Sequence, residues 1–537
     1  GRFMSFGLLA DALRWARRNS DARGYLGGRG ALRLGGALVA IALAAGYGSL
    51  GGGRGGSGLA ARLSGLMTAD VALPGFLLAS SVAWLPRVPR MRYHDNALVW
   101  AFRELFGERD SSASEVARRT PEEQMALYRR LADAPPRAQD PRWFGRAAGY
   151  DVLLFVVETG PAKCLDVRGD LADLPGLAGL RERALVAPAH YTTYPYTNRA
   201  LYSLLSGCYP NSHMRSIVQS RPDFRGPGLM RVLGARGYET AVYNPVPNSF
   251  EEDDRMFDGL AVGRQVFPDP ANLPPEAADP ARAPWERRRA RDEAALALLE
   301  ADIERWAAED RRYAALFLPQ VGHGPWPGFP GDAERDVERR GRGLFAIQDA
   351  WIERLVALLR RLGRLDRTLI VFTADHGLRT REEDASFTGA TIDACSFHVP
   401  FLLYAPGMVE RTKELGWVTS HVDVVPTLLD LLGVEDGPGR SLEQGSPVWD
   451  PRLARRRTFF FANHFLGADG YHSGGDFYMW SHVTDGVYAR RGEMRFGPRD
   501  LLPLGIRGRA EVIELLRRMT GLAQVWGAKG PADGGVT

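Results

Sequence analysis

Four side chains that can do chemistry sit where apolar runs end. Glu158 closes DVLLFVVETG (residues 151–160), His323 follows YAALFLP in 313–326, and Asp375 and His376 close TLIVFTADHG (368–377). Carboxylates beside imidazoles hold cations or pass protons. Their structural reading is caps or salt-bridged partners, but strand ends beside a histidine favour chemistry. Thr197 belongs to a fifth segment, YTTYPYTNRALYSLLSGCYP (191–210). Leu201, Leu204 and Leu205 have helical spacing and Gly207 is a natural stop, which puts Thr197 at the N-cap. A hydroxyl there caps free N–H groups. It is also placed to be a nucleophile. A helix start favours a bound phosphate or sulfate, and a nearby divalent metal would hold the threonine oxygen as an alkoxide.

Pattern also gives the elements that must position these groups. LLFVV and LIVF are continuous apolar runs, as in parallel strands buried on both faces. A further strand is expected in HVPFLLYAPG (398–407). Helical segments intervene at Ala200–Ser206, Glu286–Ala308, Gly343–Leu362 and Val424–Leu432. Alternation of this kind means an α/β fold, with the site beyond the carboxyl ends of the strands. Glu158, His323, Asp375 and His376 therefore converge on one edge. The proline-rich stretch Phe267–Trp285 reads as a surface excursion. The aromatic segment 459–480 reads as part of a smaller antiparallel sheet packed on the core, with His464, His472 and His482 unplaced. Asp349, inside a helical pattern, reads as a structural carboxylate.

Composition bounds the rest. With 68 basic and 64 acidic residues in 537, the net charge of +4 gives no footprint for nucleic acid. Cys164, Cys208 and Cys395 form neither a disulfide framework nor zinc-finger spacing. Leu34–Gly53 is free of charge over 20 residues and comes after seven arginines and two acids. That length spans a bilayer, and the arginines hold the N-terminus in the cytoplasm. A Gly/Ala-rich linker or a buried helix is the plainer reading. A second charge-free run, Val71–Pro86, would as a span return the large domain to the cytoplasm, so topology stays open. So do spans ahead of residue 1, since the chain opens GRFMS. Asn96–Phe106 and Pro121–Ala132 read as amphipathic helices. The expected organisation is a membrane-anchoring region 1–95, a helical linker 96–148, a core 149–440 and a completing subdomain 441–537.

VVETG, TNRALYSLLSGCYP, HGPW, FTADHG, HVPFLLYAPG and SHVDVVPTLLDLLGV occur in an order that resembles the sulfatase branch of the alkaline phosphatase superfamily. The resemblance runs from about residue 149 to 435 and implies a central, mostly parallel sheet between helices. Sulfatases carry a cysteine in CxPSR, oxidised to formylglycine, at the start of the helix. Counted back from LSG, the matching position is Thr197, while Cys208 lies beyond the helix. A rival register puts Thr193 there, since TYPYT mimics CxPSR. Glu158 as first ligand with a threonine nucleophile looks like the lipoteichoic acid synthase and phosphoethanolamine transferase group.

That resemblance implies a membrane-anchored enzyme of the bacterial inner membrane with its catalytic domain extracytoplasmic, or periplasmic. Its substrate would be a phospholipid or glycan phosphoester. A phosphoglycerol or phosphoethanolamine group would pass through a phospho-threonine. Glu158, Thr197, Asp375 and His376 would bind one divalent ion, Mn²⁺ first, with Zn²⁺, Mg²⁺ or Ca²⁺ as alternatives. His323 matches a histidine that contacts substrate oxygens and suits protonation of the leaving group. Arg199 and Asn198 are candidates for binding the transferred phosphate, and His398 for lining the pocket. Phosphodiester, phosphate or sulfuric ester hydrolysis on the same fold is the alternative function. A catalytically silent envelope binding domain is another.

Overall fold

The computed structural model describes residues 120–134, 139–211, 216–220, 223–246, 252–267, 273–324, 337–379, 392–436, 442–462, 467–482 and 484–519. Leu34–Gly53, Val71–Pro86, Asn96–Phe106 and His464 lie outside them. Among the described residues no helix is long and apolar enough to cross a membrane.

The centre is an eight-stranded sheet. In spatial order it holds β5 (Arg264–Val266), β4 (Glu239–Tyr243), β6 (Tyr313–Phe317), β1 (Asp151–Val157), β7 (Thr368–Ala374), β8 (Phe401–Tyr404), β2 (Ala184–Val186) and β9 (Lys413–Glu414). The run from β5 to β7 is parallel. β8 is antiparallel to both β7 and β2. A short parallel pair joins β3 (His190–Tyr191) to β10 (Thr419–Ser420). The central sheet is thus mostly parallel, and the fourth expected strand runs against the others. Its start, next to His398, lies at the edge where β1 and β7 end. β2, β4 and β5 have shorter apolar runs, which is why pattern alone passed over them.

Every residue of β1 and β7 is buried. Side chains alternate between faces along a strand. Val152, Leu154 and Val156 pack with the helices α1 (Pro121–Ala132), α3 (Thr197–Ser206) and α7 (Val424–Leu431). Leu153, Phe155 and Val157 pack on the other side with α2 (Pro175–Arg181), α5 (Pro284–Ala308) and α6 (Val337–Arg361). In β7, Leu369 and Val371 join the first face and Ile370 and Phe372 the second. Continuing each alternation by one step past the strand turns Glu158 and Asp375 toward α3. The register pairs Val157 with Ala374, so the two carboxylates are neighbours.

Several local expectations hold. Gly207, at φ +70, ends α3 in the left-handed conformation. Asp349 accepts the N–H groups of Gly176 and Leu177 at 2.8 and 2.7 Å, which caps the start of α2. The aromatic segment belongs to an antiparallel meander of β11 (Thr458–Phe461), β12 (Ala468–Ser473), β13 (Asp476–Ser481) and β14 (Val487–Arg491). The Pro-rich excursion contributes the short helix α4 (Pro275–Ala278). Helix α1 packs Met125, Tyr128 and Ala132 into the main core, and the Tyr128 hydroxyl donates to the Gln444 carbonyl at 2.6 Å.

One ion pair fastens the smaller sheet to this core. Arg456, two residues before β11, donates both terminal nitrogens to Asp423 at 2.5 and 2.7 Å, and both side chains are fully buried. Asp423 also accepts the N–H groups of Ser420 and Ser446 at 2.8 and 2.9 Å. Removing one partner of such a pair strands a buried charge. Asp423→Ala should therefore cost about 3–5 kcal/mol in urea unfolding. A loss below about 1 kcal/mol, the range of exposed pairs, would contradict the burial described.

Candidate active site and metal centre

Glu158, Asp375 and His376 present ligand atoms that all lie within 4.8 Å of one another. His376 Nε2 is 3.8 Å from Glu158 Oε1 and 3.5 Å from Asp375 Oδ2. Thr197 joins them from the first turn of α3. Its hydroxyl is 3.3 Å from Glu158 Oε2 and 3.5 Å from His376 Nε2. The structure thus brings together all four residues expected to bind the ion. It also corrects one detail: Tyr196 is the N-cap, and Thr197 is the first residue of the helix. The hydroxyl caps nothing and turns to the carboxylates instead.

The rival candidate precedes the same helix but turns elsewhere. Thr193 is buried, and its hydroxyl is 2.7 Å from that of Ser203 on α3. Cys208 is buried behind the helix, where its thiol donates to the Leu442 carbonyl at 3.4 Å. Burial pushes that thiol well up, so it is no nucleophile.

The cluster fits a cation. Asp375 Oδ1 accepts the N–H groups of Thr159 and His376 at 2.8 and 2.6 Å. Asp375 Oδ2 is buried and has no hydrogen-bond partner. His376 Nδ1 lies 2.8 Å from the Gly377 carbonyl, which can only accept, so the proton is on Nδ1. The lone pair of Nε2 then faces the carboxylates, the tautomer that a metal ligand needs. Burial and the charge of Glu158 push the Asp375 carboxyl up. Burial would also raise the Glu158 carboxyl, but His323, His376 and the Thr159 hydroxyl hold it below its usual range. Burial works against protonated His376, but Asp375 and Glu158 overcome it and raise its pKa. Two buried anions that drive protons onto their neighbours are a site that lacks positive charge.

His323 stands beside this cluster. Its loop is held from α5, where Asp292 accepts the N–H groups of Gln320 and Val321 at 2.8 and 2.7 Å. Gln320 extends its amide to Glu158 at 3.4 Å. The glycines that flank His323 allow close approach. A Cβ on Gly322 would lie 2.6 Å from the Glu158 carbonyl oxygen, and one on Gly324 would lie 3.2 Å from the Thr159 methyl. His323 Nδ1 is 2.7 Å from the Gly324 carbonyl, which leaves Nε2 to exchange a proton. Burial lowers its pKa, and Glu158 opposes the shift. Asp292, Gln320 and Thr159 were not singled out in the sequence, although the triplet GHG marks the close approach.

Of the four residues expected to bind substrate, His323 stands beside the cluster, and Arg199, Asn198 and His398 have partners elsewhere. Residues two apart on a helix point about 200° away from each other. With Thr197 toward the cluster, Arg199 is turned into the interior, 1% exposed, its guanidinium 4.8 Å from the Tyr194 ring centre. The Asn198 amide donates to Asp253 at 2.5 Å. His398 stacks on Tyr191 at 4.9 Å, and its Nε2 donates to the Pro188 carbonyl at 2.7 Å, so it ties loops together. His472 lies within β12, and His482 is 3.3 Å from Asp469.

A mostly parallel sheet, a hydroxyl at a helix start and a carboxylate–histidine cluster at the strand ends define an alkaline phosphatase-like enzyme. A sequence model described as Sulfatase matches residues 151–434, just over half of the chain, and the chain belongs to that family. Members of the sulfatase and alkaline phosphatase superfamily use a divalent metal ion. Arylsulfatase K of Bos taurus is 35% identical over 89 residues, 17% of this chain and 16% of the relative. Its counterpart in Danio rerio is 34% identical over 107 residues, 20% of each chain. The matched stretch thus spans a fifth or less of these curated relatives. Among solved structures, the lipoteichoic acid synthase LtaP from Listeria monocytogenes superposes with a TM-score of 0.58 at 16% identity. That match covers 76% of this chain and 99% of LtaP. A Vibrio parahaemolyticus protein of the alkaline phosphatase superfamily gives 0.57 at 17%, over 79% and 99% of the two chains.

The site's deficit of positive charge makes a testable pair of effects. Asp375→Asn keeps an oxygen for the two N–H donors and removes one buried charge. The metal-free variant should melt above the metal-free wild type, yet gain no thermal shift from added Mn²⁺. Wild-type-like stabilisation of this variant by Mn²⁺ would rule out Asp375 as a ligand.

Proposed function

We propose that this chain is a membrane-anchored, metal-dependent phosphotransferase. It moves a phosphoglycerol, phosphoethanolamine or similar group from a phospholipid or glycan phosphoester through a phospho-Thr197 intermediate. The observation that carries this reading is the Thr197 hydroxyl 3.3 Å from Glu158 at the place where sulfatases carry their oxidised cysteine. Oxidation of a threonine side chain yields a ketone, not the aldehyde of formylglycine. An unmodified hydroxyl that attacks phosphorus is the chemistry left to it. The LtaP fold supports the same direction, as does the charge-free stretch Leu34–Gly53, which would anchor the enzyme with its catalytic domain outside the bacterial inner membrane. Hydrolysis of a phosphoric or sulfuric ester is the second reading, favoured by the arylsulfatase relatives.

Glu158, Asp375, His376 and Thr197 would hold the ion, with Mn²⁺ preferred for a mixed oxygen and imidazole set. When bound, it would acidify the Thr197 hydroxyl and offset charge on the transferred group. The residues themselves account for the proton traffic. Thr197 Oγ1 forms a bond to phosphorus as the bond from phosphorus to the leaving oxygen breaks. The hydroxyl proton leaves along the contact to Glu158. His323 Nε2 delivers a proton to the leaving oxygen. An acceptor hydroxyl then attacks phosphorus and gives its proton to His323 Nε2, the bond to Thr197 breaks, and the proton held at Glu158 returns to Thr197.

The test uses vesicles of phosphatidylglycerol or phosphatidylethanolamine with Mn²⁺. Diacylglycerol together with a headgroup-modified acceptor marks transfer, and a free phosphorylated headgroup marks hydrolysis. Thr197→Ala should lower turnover by at least roughly 10³-fold and abolish a phospho-Thr197 peptide seen by mass spectrometry. Thr193→Ala loses only a buried hydroxyl pair, worth about 1 kcal/mol of stability, and should keep most activity. Equal turnover in Thr197→Ala and wild type would end the transferase reading.

A further inference from the structure

Thr159 comes directly after the first candidate ligand and has φ +57, a left-handed backbone that β-branched residues rarely adopt. Among the described non-glycine residues at positive φ, it is the one that is β-branched. It is also 3% exposed. Such a conformation persists where the surroundings over-determine it, and here they do. The Thr159 hydroxyl donates to Glu158 Oε1 at 2.8 Å, and its N–H donates to Asp375 Oδ1 at 2.8 Å. The next N–H, that of Gly160, donates to the His376 carbonyl at 2.8 Å. Its methyl lies against Gly324 in the His323 loop. One tight turn therefore touches every member of the cluster that comes from β1 and β7.

The geometry assigns Thr159 as a positioning residue for the cation site. By occupying one oxygen of each carboxylate, it fixes both rotamers before any ion arrives. Asp375 Oδ2 is left bare, and Glu158 Oε2 is left turned to Thr197 at 3.3 Å. Without the hydroxyl, Glu158 would swing away from the like charge of Asp375, which its backbone N–H donors still hold, and the ion would have to draw it back. Groups that orient ligands in this way are worth about 10–100-fold in metal affinity. The assignment rests on the cluster being a cation site.

The test is calorimetric titration of the metal-free full chain with MnCl₂. Thr159→Gly keeps the N–H, removes the hydroxyl and tolerates the left-handed backbone, so its folding is not at risk. Thr159→Ser restores the hydroxyl alone. Thr159→Gly should bind Mn²⁺ about 10–100-fold more weakly than wild type, and Thr159→Ser should return to within about 3-fold. Wild-type affinity in Thr159→Gly would overturn the assignment, as would equal weakness in Thr159→Ser. Failure of the wild type itself to bind Mn²⁺ would instead overturn the cation site on which the assignment rests.

Discussion

Two buried carboxylates held side by side are the constraint around which the site is built. Glu158 and Asp375 end adjacent parallel strands in the middle of the sheet, in register and on the same face. Water cannot solvate them there, and each raises the cost of charging the other. The surroundings compensate with histidines, a helix start and backbone N–H groups. A divalent cation would complete this balance. The rest of the architecture can be read as what is needed to hold two anions together.

The sheet supplies stiffness. β1 and β7 are covered on both faces, so their ends cannot shift without repacking two cores. Helix α3 supplies the hydroxyl and, because Tyr196 takes the cap, leaves that hydroxyl for chemistry. The loop after β6 supplies His323, and its glycines let it lie directly on the Glu158–Thr159 turn. The smaller sheet holds the approach to α3, since the Phe461 N–H donates to the Thr193 carbonyl at 2.9 Å. The Asp423–Arg456 pair locks that sheet in place. Precision at Thr197 therefore depends on residues more than 220 positions later in the chain.

The same placement bears on the choice of chemistry. A threonine bears a methyl on the carbon that becomes the formylglycine aldehyde, so the family's sulfatase device is chemically closed to it. Attack on phosphorus needs only a deprotonated oxygen, and Thr197 lies against the groups that can take its proton.

The sequence by itself determined the features that short-range pattern can carry. Apolar runs that end in Glu158 and Asp375–His376 made the strands and the edge legible, because burial on both faces demands such runs. Helical spacing and Gly207 made α3 legible. Strand alternation even implies which face the carboxylates take. Tertiary structure alone set the Thr197 hydroxyl against the ends of β1 and β7 and the Thr193 hydroxyl against Ser203, since both threonines lie near the start of the same helix and their directions depend on what packs around it. It alone turned Arg199 into the core and His398 onto Pro188, because a side chain's direction depends on what packs beside it. It alone revealed the double role of Thr159. A dipeptide Glu-Thr carries no sign of a left-handed backbone, which arises only when β1 and β7 are brought together.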